Sequence, residues 1–182
     1  MTFLVWTWCI RRIRLLLAVA CMVLPGGAAA EMFRLRDVGE PLHKMSLNDV
    51  EGDPRILDPL NLERPLLLFF WSVYCPNCTD AMPGLVELAA DASGPKVEVW
   101  GINVDGERFS NAVKAYVREM ELPFPTLYDR LEGEFLVAAD PFGVSKTPTL
   151  YLAGSDGRVL LRQVVKIDMA AVRATLRSSA SP

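Results

Sequence analysis

Cys75 and Cys78 stand three residues apart in Trp71-Ser-Val-Tyr-Cys-Pro-Asn-Cys78, at the junction of two opposite patterns. Before them, Pro65-Leu-Leu-Leu-Phe-Phe-Trp71 is a nearly continuous apolar run bounded by Arg64, the pattern of a central strand buried on both faces. After them, Met82, Leu85, Val86 and Ala89 recur at helical spacing between Thr79 and Ala90. The pair therefore sits where a buried strand turns into a helix. The first turn of a helix presents unpaired N–H groups and partial positive charge, so a thiolate at Cys75 is stabilised there and its pKa falls below the usual value of about 8.5. Pro76 suits that first turn because its missing N–H has no partner to lose, and Pro83 is expected to bend the helix.

The rest of the chain alternates as an α/β domain does. Lys96 to Val104 reads as a second core strand ending at Asp105-Gly106, and Phe109 to Met120 as an amphipathic helix. Leu131 to Ala139 reads as a short helix stopped by Asp140-Pro141. Thr149 to Ala153 and Arg158 to Val165 read as strands joined through Gly154-Ser-Asp-Gly157, a connection that favours an antiparallel hairpin. A last helix is expected from Asp168, its N-cap, to Arg177, followed by a frayed tail over residues 178–182. Residues 31–64 read as an N-terminal extension of short strands and turns. With 182 residues, 51% of them hydrophobic, the chain suffices for one well-buried core.

The first thirty residues differ from this pattern. Three of the nineteen basic residues, Arg11, Arg12 and Arg14, and none of the twenty-two acidic ones lie there. They precede the apolar stretch Leu15 to Leu24 and the small residues Ala28-Ala-Ala30, the order of a signal peptide cleaved after Ala30. The apolar stretch is shorter than the roughly 20 residues that span a bilayer, so membrane association is expected only if the segment stays uncleaved as an anchor. Export to the periplasm or another extracytoplasmic compartment follows. The remainder is mildly acidic and shows no clustered basic face, which argues against a nucleic-acid partner.

Cleavage would also remove Cys9 and Cys21, leaving Cys75 and Cys78 alone. A bridge closing so small a loop removes little chain entropy from the unfolded state, so structural stapling is a poor reason for the pair. A closed zinc site wants four ligands, and with one histidine, His43, and no second Cys-x-x-Cys the set is incomplete; no metal is expected. Thr79 occupies the place a c-type haem attachment gives to histidine. No cofactor is expected beyond a redox-active disulfide.

Trp71-Ser-Val-Tyr-Cys-Pro-Asn-Cys78, Met82-Pro83, Gly101-Ile-Asn-Val-Asp105, Thr147-Pro-Thr149 and Asp156-Gly157 together resemble the exported thioredoxin-like TlpA/ResA group, over roughly residues 37–176. The resemblance implies a three-layer α/β fold with a central mixed sheet flanked by helices. It also implies a cis bond at Thr147-Pro148 packed against the cysteines, with Thr147 backbone open to an extended substrate. The implied activity is thiol-disulfide exchange, Cys75 attacking and Cys78 resolving. The implied partners are cysteine-bearing exported proteins, apocytochrome c among them, and a membrane thiol reductant. Trp71 is expected to pack under the loop, Tyr74 to border Cys75 on the exposed side, and Pro76-Asn77 to influence the redox poise.

Two positions depart from the pattern. Relatives carry a glutamate where this chain has Ala81, and thioredoxin a buried aspartate where it has Phe69. Asp80 is the candidate stand-in, with a solvated helix-surface carboxylate as the plainer reading; His43 reads as a surface residue. Three other activities compete with this reading. A disulfide-donating oxidase would use the same pair in the opposite direction. A copper-binding module could add Met45 or Met82 to the thiolates, though no Met-x-x-Met cluster accompanies them. A peroxidase of this fold needs a Pro-x-x-x-Thr/Ser-x-x-Cys setting, which Trp71-Ser-Val-Tyr-Cys75 does not supply.

Overall fold

The computed structural model describes residues 34–94 and 96–179. The expected signal segment with Cys9, Cys21 and Ala30, and the tail beyond Ser179, lie outside the described residues. In chain order the strands are β1 (Met45–Asn48), β2 (Pro54–Leu57), β3 (Leu66–Trp71), β4 (Glu98–Asn103), β5 (Thr126–Tyr128), β6 (Leu131–Glu132), β7 (Phe135–Leu136), β8 (Thr149–Ala153) and β9 (Val159–Val164). The helices are α1 (Pro76–Ala90), α2 (Ser110–Glu119) and α3 (Met169–Ser179), with 3-10 turns at Pro59–Asn61 and Glu107–Phe109.

The run before the cysteines is the middle strand of a five-stranded sheet ordered β5-β4-β3-β8-β9. β3 pairs in parallel with β4, which pairs in parallel with β5, while β8 runs antiparallel to β3 and β9 antiparallel to β8. All six β3 side chains are buried and alternate between two cores, as the two-residue period of a strand requires. Leu67, Phe69 and Trp71 face Met82 and Leu85 of α1, Val113 of α2, and Val172 and Leu176 of α3. Leu66, Leu68 and Phe70 face Leu47, Leu57, Phe142 and Tyr151. The three α-helices thus share one face of the sheet. The opposite layer comes from the β1–β2 hairpin and the turns after β7.

Leu131–Ala139 is not the short helix its composition suggests. Gly133, at φ 66, opens a two-residue loop between β6 and β7, which pair as Leu131↔Leu136 and Glu132↔Phe135. Buried Asp129 accepts from Ala138 N and Ala139 N at 2.9 and 2.8 Å, and Asp140 accepts from Leu136 N at 2.7 Å. These side chains take the N–H groups a helix would have used internally. Burial pushes Asp129 above the ordinary carboxylate range, against the pull of its backbone donors.

α3 starts as its cap dictates: Asp168 Oδ1 accepts from Ala170 N and Ala171 N. It runs on to Ser179, past the expected end at Arg177, so residues 178 and 179 are helical rather than frayed. α3 lies close against α1 at Gly84, where a Cβ would fall 2.7 Å from Met169 Cγ. On the other face the buried Tyr151 hydroxyl donates to Phe142 O at 2.7 Å and accepts from Arg36 N at 3.1 Å. Burial is the main reason its phenol is pushed up to about 12.

The extension forms β1 and β2, paired antiparallel, and also reaches both outer edges of the main sheet. Gly39 N donates to Val159 O and Val159 N to Glu40 O, beside the start of β9. Asp49 bridges Leu127, and Val50 N donates to Thr126 O, beside β5.

Candidate active site

β3, β4 and β5 are parallel, so the loops that follow them emerge along one edge of the sheet, the carboxyl edge where open α/β sheets place their ligand sites. The β3 loop carries the cysteines. Ser72–Tyr74 is fixed from the β4 loop: Asp105 accepts from Ser72 Oγ at 2.7 Å, Val73 N at 2.8 Å and Asn103 Nδ2 at 2.9 Å. Ser72 Oγ in turn accepts from Tyr74 N at 3.1 Å, and Ser72 O from Cys75 N at 3.2 Å.

Cys75 then takes the N-cap position of α1 in extended conformation, with Pro76 in the first turn. Its Sγ accepts from Cys78 N at 3.2 Å, so the sulfur itself serves as the helix cap. Cys75 and Cys78 form a disulfide with Cα atoms 5.2 Å apart. The two sulfurs differ in access, because Cys75 is half-buried at the rim whereas Cys78 is 1% exposed against the core.

The surroundings of the pair divide into an apolar interior and a varied rim. Trp71 is fully buried below the loop with its ring 5.0 Å from that of Tyr116. Ala81 and Phe69, the two positions that depart from the resemblance, are both buried in the core cluster that includes Cys78. Tyr74 is 67% exposed, its ring edge-on to Phe109 at 5.6 Å. Asn77 and Asp80 are exposed on the first turns of α1. They line a cavity of about 460 Å³ with Ala81, Val165, Lys166 and Ile167.

The Thr147–Pro148 peptide bond is cis. Phe70 pairs with Thr149, so continuing the register one step places Pro148 beside Trp71, at the root of the cysteine loop. Pro148 O accepts from Val165 N at 2.7 Å. Among the described residues, no backbone partner is recorded for the N–H or C=O of Thr147.

His43 lies elsewhere, exposed on the extension with its ring 6.4 Å from Phe142. Met45 belongs to the core on the face away from α1, and Met82 is buried on the α1 face. Among the described residues no three His, Cys, Asp or Glu side chains gather in a metal-holding group.

Two features of the site were missed at the level of sequence. Asp105 reads there as the turn ending β4 and as the last residue of a motif of the resemblance, with no role at the cysteines, although the parallel register Trp71↔Asn103 carries it to the cysteine loop. Val165 has φ 69, rare for a β-branched residue, in a tight turn closed by Lys166 N donating to Val164 O at 2.8 Å. Nothing in a valine side chain signals that conformation.

Residues 38–169 match the AhpC/TSA family. The chain belongs to that family. Its curated relatives include thiol-disulfide oxidoreductase ResA of Oceanobacillus iheyensis, 27% identical over 135 residues that cover 73% of this chain and 62% of the relative. The ResA of Bacillus thuringiensis subsp. konkukian is 29% identical over 124 residues, 68% of each chain. Among solved structures, one described as thiol:disulfide interchange protein DsbE from Chlorobium tepidum superposes with a TM-score of 0.67 at 20% identity, over 80% of this chain and 99% of that one. At that identity the likeness establishes the thioredoxin-like fold.

The cysteine loop meets the peroxidase setting only in part. Ser72 does hold the Ser/Thr position three before Cys75, but its hydroxyl is engaged by Asp105 and Tyr74 N. Leu68, buried in β3, stands where the proline of that setting would be.

Proposed function

We propose that the chain is an extracytoplasmic thiol-disulfide oxidoreductase acting through Cys75 and Cys78. The observation that carries this reading is the unequal access of two linked sulfurs at a helix start, one capping the helix at the rim and one sealed beneath it. The names of the ResA relatives support it.

In the reducing direction the Cys75 thiolate attacks one sulfur of a substrate disulfide. A mixed disulfide forms, and the other substrate sulfur leaves as a thiolate that takes a proton from solvent. Cys78, as thiolate, then attacks Cys75 Sγ. This closes the Cys75–Cys78 bond and releases the second substrate thiol, so two electrons pass from the dithiol to the substrate. Cys78 meets only the sulfur held beside it, which favours resolution over a second attack on the partner. Thr147 offers N–H and C=O to an extended substrate segment, with Pro148 setting the wall beside the sulfurs. Asn77 and Asp80 contact the segment from the α1 side, and Trp71 and Tyr74 shape the loop that Pro76 leads into the helix.

The substrates are cysteine-bearing exported proteins, with apocytochrome c the leading candidate, and the electrons come from a membrane thiol reductant. The N-terminal segment delivers the chain to that compartment. Direction follows the potential of the pair: about −270 mV, as in thioredoxin, marks a reductant, and about −120 mV, as in DsbA, marks a disulfide donor.

The test is trapping with Cys78→Ser. A mixed disulfide through Cys75 should accumulate when an exported cysteine protein is supplied as substrate, and no adduct should form with Cys75→Ser. Failure of Cys78→Ser to accumulate any adduct would overturn the assignment.

A further inference from the structure

The carboxyl edge of the sheet continues past the cysteines. Tyr74 leads from Cys75 to Phe109, over whose ring the Arg108 guanidinium sits at 4.8 Å. Phe109 lines a cavity of about 590 Å³ whose apolar part is completed by Val104 from the β4 loop and Leu131 and Leu136 of the β6–β7 hairpin, while Glu107, Arg108 and Arg130 add charge to its lining. Leu131 is 67% exposed and shares its face of the hairpin with Leu136. An apolar path therefore runs outward from the reactive sulfur, from exposed Tyr74 through half-buried Phe109 to exposed Leu131. The cavity on the opposite side of Cys75 is the more polar of the two, with Asn77, Asp80 and Lys166 beside Ala81, Val165 and Ile167.

We propose that this groove is a docking site for an extended segment of the thiol partner, and that it takes an apolar side chain flanking the partner's cysteine. The proposal rests on the exchange reading above and deepens it. Continuity fixes the occupant, because a polypeptide whose cysteine sulfur reaches Cys75 must lay its flanking residues along this edge or the polar side. The sheet also fixes the spacing. β5 lies two strands from β3, about 10 Å at the usual strand separation, and an extended chain covers about 3.3 Å per residue. The favoured apolar residue is therefore about three positions from the reactive cysteine.

The test uses the reduced protein and single-cysteine peptides carrying a chromogenic thiol in mixed disulfide. Leucine, phenylalanine or serine is placed at each of the first five positions on either side of the cysteine, and the same chromogen on cysteamine serves as the small reference. Apolar peptides substituted near the third position should react about tenfold faster than their serine counterparts. Leu131→Glu should lower the ratio of apolar-peptide to cysteamine rate by about the same factor, whereas Leu60→Glu, at an equally solvent-facing leucine 89% exposed, should leave it alone. Equal rates for all peptides, or an unchanged ratio in Leu131→Glu, would overturn the proposal. So would a self-association that Leu131→Glu abolishes while peptide preference persists, since the patch would then bind a second copy. No reaction even with the cysteamine reference would count against disulfide exchange itself.

Discussion

Replacing Asp105 by alanine removes one acceptor and strands three donors: Ser72 Oγ, Val73 N and Asn103 Nδ2. Hydrogen bonds to a charged group contribute about 1.5–3 kcal/mol each when shielded and less where water can replace the acceptor. Asn103 is fully buried whereas Ser72 and Val73 are half-exposed, so a total of about 3 kcal/mol is expected. At about 2–4 °C per kcal/mol for a domain of this size, thermal unfolding should shift down by about 6–12 °C. Ser72→Ala removes one of the three bonds and also the acceptor of Tyr74 N, and should cost about 1.5 kcal/mol, but only about half of that in the Asp105→Ala background, where the Tyr74 N bond alone is left to lose. A second readout separates the loop from the fold: in the reduced protein, a Cys75 no longer held at the N-cap should alkylate more slowly near neutral pH and titrate higher. The reasoning fails if the two substitutions add without coupling, or if Asp105→Ala unfolds within about 0.5 kcal/mol of the parent.

Tyr151→Phe should cost about 1–2 kcal/mol, since Phe142 O and Arg36 N lose their buried hydroxyl partner. The parent phenol is raised from 10.0 to about 12, so its contribution is full below pH 10 and is lost as pH climbs toward 12; denaturant titrations across that window should show the loss only in the parent. Asp129→Ala should free Arg130 N, Ala138 N and Ala139 N, visible as accelerated amide exchange at Arg130 and in the turn after β7. Gly84→Ala drives a Cβ to 2.7 Å from Met169 Cγ and should cost about 1–3 kcal/mol by chemical denaturation, a cost that Met169→Ala in the same chain should relieve in part.

The sequence revealed what its local chemistry determines. Six apolar residues before the cysteines announced β3, Pro76 and the spacing of Met82 and Leu85 announced α1, and Asp168 announced the start of α3. Leu131–Ala139 misled because the groups that decide it, Asp129 and Asp140, lie just outside it and cap its N–H groups through side chains. The bracing role of Asp105 was hidden for a related reason, since its partners Ser72 and Val73 are more than thirty residues away and meet it only through the β3–β4 register. The cysteine pair itself was legible; the brace that holds it and the apolar path beside it needed the folded chain.

The extension that reaches both outer strands has a consequence for synthesis. Residues 39–42 are among the first of the domain to leave the ribosome, yet they hydrogen-bond to residues 157–159, near its end. Until those later residues emerge, the early segment has no β9 to lie against. The start of β9 is thus covered only once the last strand of the sheet has been made. A truncated product lacking that strand would leave its early segment unanchored, a ready signal to the machinery that clears unfinished proteins.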